Sequence, residues 1–155
     1  SSKKGQIMKR FIKAGMIAIC CMFVFSNCAE AGKDTPIRIS QLPPVAQKTI
    51  KAHFSKGKVA MAKMETDWLK KSYDVVFTNG TKIEFDEDGN WKEIDCKKNA
   101  VPSALIPVKI TKYVKSHYPH TKILKIERDR KGYEIELSGD IDITFNKNFE
   151  VTEID

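Results

Sequence analysis

Two five-residue stretches, Tyr73–Phe77 (YDVVF) and Tyr133–Leu137 (YEIEL), decide the fold of this chain. In the second stretch Tyr133, Ile135 and Leu137 are separated by glutamates, so apolar and acidic side chains alternate. Such alternation is typical of a β-strand with one covered face and one face in water. The first stretch has a similar pattern sixty positions earlier, with its tyrosine, central valine and phenylalanine on one side.

The correspondence continues in the same register. Ile83–Phe85 matches Ile143–Phe145, and Glu93–Asp95 matches Glu153–Asp155, again sixty positions apart. Between the matched stretches, Asn79–Gly80 is a strong signal for a two-residue hairpin turn, because that turn needs positive φ at both central positions. We therefore interpret residues 40–155 as two copies of one pattern.

Each copy begins with a predicted helix. Its apolar residues recur at helical spacing, which places them on one side of the helix. These positions are Ala46, Ile50 and Phe54 in the first copy and Ile106, Ile110, Val114 and Tyr118 in the second. The apolar side of each helix is expected to cover the apolar face of the strands that follow it.

The sequence thus predicts an α+β fold of two tandem repeats, each with one helix packed on a four-stranded antiparallel sheet. A copy of about 55 residues buries little apolar surface, so the two repeats are expected to pack side by side. The predicted organisation is a signal peptide at 1–31, a linker at 32–39, repeat 1 at 40–95, a linker at 96–101 and repeat 2 at 102–155.

This arrangement resembles the PepSY-like family, also described as putative beta-lactamase-inhibitor-like. The residues that carry the resemblance are Leu42–Pro43, Tyr73–Phe77, Asn79–Gly80 and Phe85–Trp91 in the first copy, and Ile106–Pro107, His117–Pro119, Tyr133–Leu137 and Ile143–Phe145 in the second. The second copy departs from the pattern where Asn148–Phe149 replaces Asp88–Gly89. The resemblance implies a small exported bacterial protein that binds or inhibits a partner, and it supplies no catalytic residues.

Residues 1–31 have the pattern of a secretory signal. Five basic residues precede an uncharged apolar run from Ala14 to Phe25, which is shorter than the ~20 residues of a stable membrane span. Ala29 and Ala31 fit cleavage after Ala31, whereas Cys28 could instead become the lipidated first residue of a lipoprotein; an uncleaved anchor is a third alternative. We expect a periplasmic protein that contacts the membrane only if Cys28 is lipidated.

The net charge of +7 includes this segment, and residues 32–155 carry 22 Lys and Arg against 19 Asp and Glu, or +3. The sequence has no arginine-rich run with interleaved aromatics, so we expect no nucleic-acid partner. Three of the four cysteines also lie in the segment, and Cys96 alone can form no internal disulfide. An unspecialised thiol and an intermolecular disulfide are both open for Cys96.

Two sets of residues are candidates for contact with a partner. The solvent-facing side of the predicted sheet is acidic, and an apolar pair lies in a segment where the first copy is longer than the second. The candidates are Glu84, Glu134, Glu136 and Asp142 on the sheet, and Met64 and Trp68 in the longer segment. Trp and Met are enriched at interfaces, although a solvated face and a tryptophan that covers the core explain the same residues.

A calcium site is a further alternative. Asp86, Asp88 and Asn90 place oxygen ligands at alternate positions, as a calcium loop does. Counted from Asp86, however, the sixth and twelfth positions hold Trp91 and Lys97 where an EF-hand has Gly and Glu. A tight turn accounts for the same residues, so a turn and a weak calcium site both remain open.

Sequence signatures of catalysis are missing. The chain contains three histidines, His53, His117 and His120, and no Gly-x-Ser-x-Gly motif or pair of histidines at metal-binding spacing. We therefore predict a non-enzymatic module without a cofactor that binds an unidentified periplasmic protein or peptide, with inhibition as one form of that role. The alternative is a calcium- or cation-responsive envelope protein.

Overall fold

The computed structural model describes residues 33–155, and they build one antiparallel sheet of nine strands. The strands are β1 (Lys33–Pro36), β2 (Val59–Asp67), β3 (Lys70–Phe77), β4 (Lys82–Phe85), β5 (Trp91–Asp95), β6 (Ile123–Arg128), β7 (Gly132–Leu137), β8 (Ile141–Asn146) and β9 (Val151–Ile154). They lie side by side in chain order. The predicted signal segment and its candidate lipidation site, Cys28, lie outside the described residues.

Two α-helices, α1 (Pro44–His53) and α2 (Val108–His117), cover the same face of the sheet. Each begins directly after a proline, whose fixed φ suits the start of a helix. Phe54, after α1, packs 5.7 Å from Phe77, and Tyr113 in α2 meets Phe145 edge-on at 5.5 Å between ring centroids. No helix within residues 33–155 is both long enough and apolar enough to cross a membrane.

The prediction of two helix-on-four-strand repeats is wrong. Strand β5 pairs with β6 through Glu93 opposite Glu127 and Ile94 opposite Ile126, so the strands form one continuous, mostly β structure with two helices. Alternation along a strand identifies its two faces but not the strand beside it. Pairing β5 with β6 satisfies backbone groups that two separate sheets would leave at exposed edges.

Residues predicted as linkers take part in this sheet. Within 32–39, β1 pairs with β2, where Lys33 lies opposite Thr66. Within 96–101, the Cys96 and Val101 N–H groups donate to backbone carbonyls of β6 at 2.9 and 2.8 Å. Both side chains are buried. The connection between β5 and α2 is therefore held against the sheet.

The core lies between the helices and a row of apolar side chains that crosses the sheet. Successive members of the row lie directly opposite one another on neighbouring strands, and all are at most 1% exposed. They are Val75, Ile83, Ile94, Ile126, Ile135 and Ile143. Burial of one such side chain stabilises the fold by about 1.5–3 kcal/mol. The row crosses the β5–β6 junction without a gap, so both helices share one core.

Candidate binding face on the open side of the sheet

The face of the sheet opposite the helices carries a line of carboxylates from five adjacent strands. Each member lies directly opposite the next in the strand register. We call this line the acidic row, and its members are Asp74, Glu84, Glu93, Glu127 and Glu134. Neighbouring strands are about 4.8 Å apart, so the row extends over about 19 Å.

The apolar core row determines on which face of the sheet the acidic row lies. Every carboxylate of the row is a chain neighbour of a buried core residue, as Glu127 is of Ile126 and Glu134 is of Ile135. Because successive side chains of a strand point to opposite faces, burial of the isoleucine turns the adjacent glutamate to the open side. One pairing register therefore aligns both rows.

Lysines are interspersed with the carboxylates at the β2–β5 side. Lys63 and Lys82 each lie 3.6 Å from Asp74, which is 4% exposed. Farther along, Lys92 lies 3.7 Å from Glu84, and Lys125 lies 3.4 Å from Glu93. These contacts offset part of the negative charge of the row.

Burial nevertheless raises the pKa of several carboxyl groups on this face. For Asp74, loss of hydration outweighs the attraction of Lys82 and Lys63, so its pKa lies above the ordinary value. The pKa values of Glu84 and Glu127 are raised by burial first and by neighbouring carboxylates second. Burial alone would lower the pKa of Lys125, but nearby carboxylates, Glu93 first, raise it. The face thus holds negative charge at an energetic cost and stabilises cations.

Four of the predicted contact residues come together here. Glu84 and Glu134 belong to the acidic row, and Glu136 lies opposite Asp142 in a second line of residues. Burial raises the pKa of Glu136, and Asp142 is the next largest cause. The predicted cluster therefore forms one surface that runs from β4 to β8.

The two apolar candidates lie elsewhere. Trp68 is at the tip of the β2–β3 hairpin and is 93% exposed. Met64 pairs with Tyr73, which packs against the core, so Met64 lies on the helix-covered side of the sheet. The structure therefore separates Trp68 and Met64 from the acidic row.

The calcium-loop candidates form the turn between β4 and β5. The Asp86 Oδ1 atom accepts hydrogen bonds from the Asp88 and Asn90 N–H groups at 3.0 and 2.9 Å. In the β8–β9 turn, Asn146 Oδ1 accepts the equivalent pair of bonds at 2.9 and 3.0 Å. A neutral amide thus makes the same turn as the carboxylate. Within residues 33–155, no three His, Cys, Asp or Glu side chains are grouped so that they could hold a metal ion.

Sequence reasoning missed two central members of the acidic row, Glu93 and Glu127. Their alternation with Ile94 and Ile126 was visible in the sequence. Their proximity depends on the β5–β6 pairing, which the prediction of two separate sheets excluded.

The remaining candidate groups have structural surroundings. Cys96 is 3% exposed, and burial raises its pKa, so a neutral thiol is favoured there over a reactive thiolate. His117 is the last residue of α2, where its ring stacks on Tyr113 at 4.1 Å and its Nδ1 atom lies 2.9 Å from the Tyr113 carbonyl oxygen. His53 occupies the last position of α1.

Solved structures of other proteins share this fold, whereas a comparison with curated proteins gave no match. Among solved structures, a "putative periplasmic protein" of the DUF2874 family from Bacteroides vulgatus is 56% identical, with a TM-score of 0.78 over 79% of this chain and 97% of that one. A "putative calcium-regulated periplasmic protein" from Bacteroides thetaiotaomicron is 55% identical, with a TM-score of 0.77 over 79% of this chain and 96% of that one.

A third solved structure, a "putative periplasmic protein of unknown function" from Bacteroides vulgatus, is 41% identical, with a TM-score of 0.75 over 79% of this chain and 99% of that one. The family model described as "Putative beta-lactamase-inhibitor-like, PepSY-like" matches residues 28–68 and 71–153. The resemblance inferred from the sequence is thereby confirmed, and the chain belongs to the PepSY-like family.

Proposed function

We propose that this chain is a periplasmic binding protein whose acidic sheet face holds a basic segment of a protein or peptide partner. The observation that carries the proposal is the line of five carboxylates from five adjacent strands. The predicted export signal and the description of three related structures as periplasmic support the compartment. The chain acts by binding, without catalysis or a cofactor.

The electrostatics of the face favour a cationic partner. Like charges placed directly opposite one another on adjacent strands destabilise a sheet by roughly 0.2–1 kcal/mol for each pair. Glu127 lies between two such neighbours, Glu93 and Glu134. A lysine or arginine of a partner would relieve this repulsion on contact, so part of the binding free energy is already stored in the unbound face.

The proposal is tested by titrating the protein with a ten-residue oligolysine peptide, with oligoglutamate of the same length as the control. We expect binding of oligolysine alone, weakened by salt because added ions screen exposed charges. The Glu127→Lys variant should weaken binding about tenfold, since one reversed charge near a bound cation costs about 1–2 kcal/mol in water. The matched control is Glu87→Lys, which makes the same charge change in the exposed β4–β5 turn and should leave affinity within about twofold.

Two results would reject the proposed function. One is equal affinity for oligolysine and oligoglutamate. The other is an equal effect of Glu127→Lys and Glu87→Lys, because general attraction to the net charge of the protein would then explain binding. A role in inhibition would require, in addition, that the bound partner is an enzyme that loses activity in the complex.

A calcium- or cation-responsive role is the second candidate, and one observation favours it. A relative with 55% identity is described as a "putative calcium-regulated periplasmic protein". Carboxylate oxygens are the ligands that calcium prefers, and both the acidic row and the β4–β5 turn present them. Calcium binding to this chain would appear as heat in a calorimetric titration and as a higher melting temperature, with magnesium as the control ion.

The Asp86→Asn variant locates such a site. Asn146 makes the equivalent turn with an amide oxygen, so Asp86→Asn should keep the fold while removing one charge. Loss of calcium binding in this variant would assign the ion to the β4–β5 turn. Loss in Glu127→Gln instead would assign it to the acidic row, and no calcium response of the wild-type protein would remove this candidate.

A further inference from the structure

The tip of the β2–β3 hairpin exposes two large apolar side chains. Trp68 is 93% exposed and Leu69 is 95% exposed, whereas Val108 and Met61, the next most exposed large apolar residues within 33–155, reach 67% and 49%. Asp67 pairs with Lys70, so Trp68 and Leu69 alone form the turn. Neither side chain gains from burial in the fold.

The backbone of the tip does not explain these residues either. Trp68 has φ of 56°, a left-handed conformation that costs a residue with a side chain about 1–2 kcal/mol and that glycine adopts freely. The β3–β4 and β7–β8 turns place Gly80 and Gly139 at positive φ. A bulky indole at this position therefore costs stability. Phe149 also has positive φ, at 62°, but its ring stacks on Tyr133 within the fold, whereas Trp68 is 93% exposed.

Charge indicates the chemistry of that contact. Lys70 and Lys71 follow the apolar pair directly, and both are exposed. Lys33 lies at the same end of the sheet, opposite Thr66, and Asp67 is the single acidic residue of the four-residue turn Asp67–Lys70. Tryptophan favours the boundary between lipid and water, and each nearby lysine adds attraction to an anionic membrane surface. The combination matches a phospholipid headgroup layer.

The start of β1 lies at the same end of the sheet as the tip. Lys33 is opposite Thr66, two positions before Trp68. Cys28, the predicted alternative for lipidation, is five positions before Lys33 in the sequence. A lipid there would be one membrane signal, and stable attachment requires a second.

We infer that Trp68 and Leu69, with Lys70 and Lys71, insert the tip of the β2–β3 hairpin into the surface of an anionic lipid bilayer. This inference is independent of the proposed function of the acidic row, which lies on a face of the sheet and not at its tip. The hairpin tip could then hold the protein at the membrane while the acidic face stays accessible to a partner.

The test is tryptophan fluorescence of the exported Cys28→Ser variant, which cannot be lipidated at this position. It is mixed with anionic vesicles of about 30% phosphatidylglycerol and about 70% phosphatidylcholine. The chain has two tryptophans, and Trp91 is 6% exposed, so Trp68 should dominate any change. We expect a blue shift and quenching by brominated lipid in this Cys28→Ser protein. Both effects should be absent when Trp68→Phe is added to it, and when it is mixed with vesicles of phosphatidylcholine alone.

A matched pair of variants distinguishes insertion of the tip from nonspecific adsorption through exposed apolar side chains. Leu69→Ser should raise the lipid concentration at half-maximal shift about tenfold, because a leucine no longer enters the bilayer. Val108→Ser removes an exposed apolar side chain at the start of α2 and should leave that concentration unchanged. The inference is overturned if brominated lipid does not quench Trp68, if neutral vesicles act equally, or if Val108→Ser has the effect of Leu69→Ser. It is also overturned if Trp68 responds to a protein partner and not to vesicles.

Discussion

Removal of one charge from the middle of the acidic row should stabilise the protein. Glu127 lies directly opposite Glu93 on one side and Glu134 on the other. Burial and these carboxylates raise its pKa, with Lys125 acting in the opposite direction. In Glu127→Gln the side chain keeps its size and loses its charge, so both repulsive contacts disappear while the packing of neighbouring Ile126 is unchanged.

The size of the effect follows from these two contacts. A like-charged pair directly opposite across strands costs roughly 0.2–1 kcal/mol, and Glu127 takes part in two. Lys125 offsets part of the repulsion, and water screens the exposed part of the side chain. We therefore use the lower half of that range and expect a gain of about 0.5–1 kcal/mol. For a domain of this size the gain corresponds to a rise of about 2–5 °C in melting temperature.

The assay is thermal and urea unfolding followed by circular dichroism at pH 7 in low salt. The gain should shrink strongly in 1 M NaCl, where the screening length falls to about 3 Å. Glu87→Gln serves as the control, because it removes the same charge from the exposed β4–β5 turn. A Glu127→Gln variant that is no more stable than Glu87→Gln at low salt would refute the reasoning and show that the lysines already neutralise the row.

Three further predictions concern the same domain. Four carboxyl groups of the open face have raised pKa values in the folded state, so the folded state binds protons more readily than the unfolded state. The free energy of unfolding should therefore increase as pH falls from 7 toward about 5. A decrease over that range would contradict the raised pKa values. Arg128→Ala should lower the free energy of unfolding, measured in urea, by about 1–2 kcal/mol. The Arg128 guanidinium stacks 3.8 Å from the centre of the Trp91 ring, and its Nε donates a hydrogen bond to the Trp91 carbonyl at 2.7 Å. Arg128→Lys should recover little of that loss. Gly89→Ala should lower the melting temperature more than Gly139→Ala, although both glycines have positive φ. A Cβ on Gly89 would clash with Pro43 Cβ at 2.8 Å, whereas a Cβ on Gly139 would meet nothing within 4 Å. Equal effects would exclude this clash as the cause.

Several parts of the structure were predictable from local pattern. The strands around Tyr73–Phe77 and Tyr133–Leu137 have alternating side chains, and the structure places them in β3 and β7. The helical stripes were correct in their central positions, since Ala46, Ile50 and Ile110 are buried within the helices. Their ends were not, because Ile106 precedes α2, and Phe54 and Tyr118 each follow a helix. These predictions succeed because the hydrophobic period depends only on residues a few positions apart.

Other parts required contacts between residues distant in the chain. Strand β1 (Lys33–Pro36) has no alternating apolar residues and contains a proline, so only its pairing with β2 identifies it. The acidic candidates Glu84 and Glu134 were found from alternation. Their connection through Glu93 and Glu127 was missed, because it exists only when β5 lies beside β6.

The sequence by itself determined the membership of the PepSY-like family, the positions of most strands, and the side of each strand that faces water. Only the tertiary structure decided that nine strands form one sheet, that five carboxylates line up across it, and that Trp68 and Leu69 are exposed at a hairpin tip. The physical reason is the range of the interactions. Side-chain alternation is a local property of the chain, whereas the choice of neighbouring strand is made by backbone hydrogen bonds and core packing between residues that are far apart in sequence.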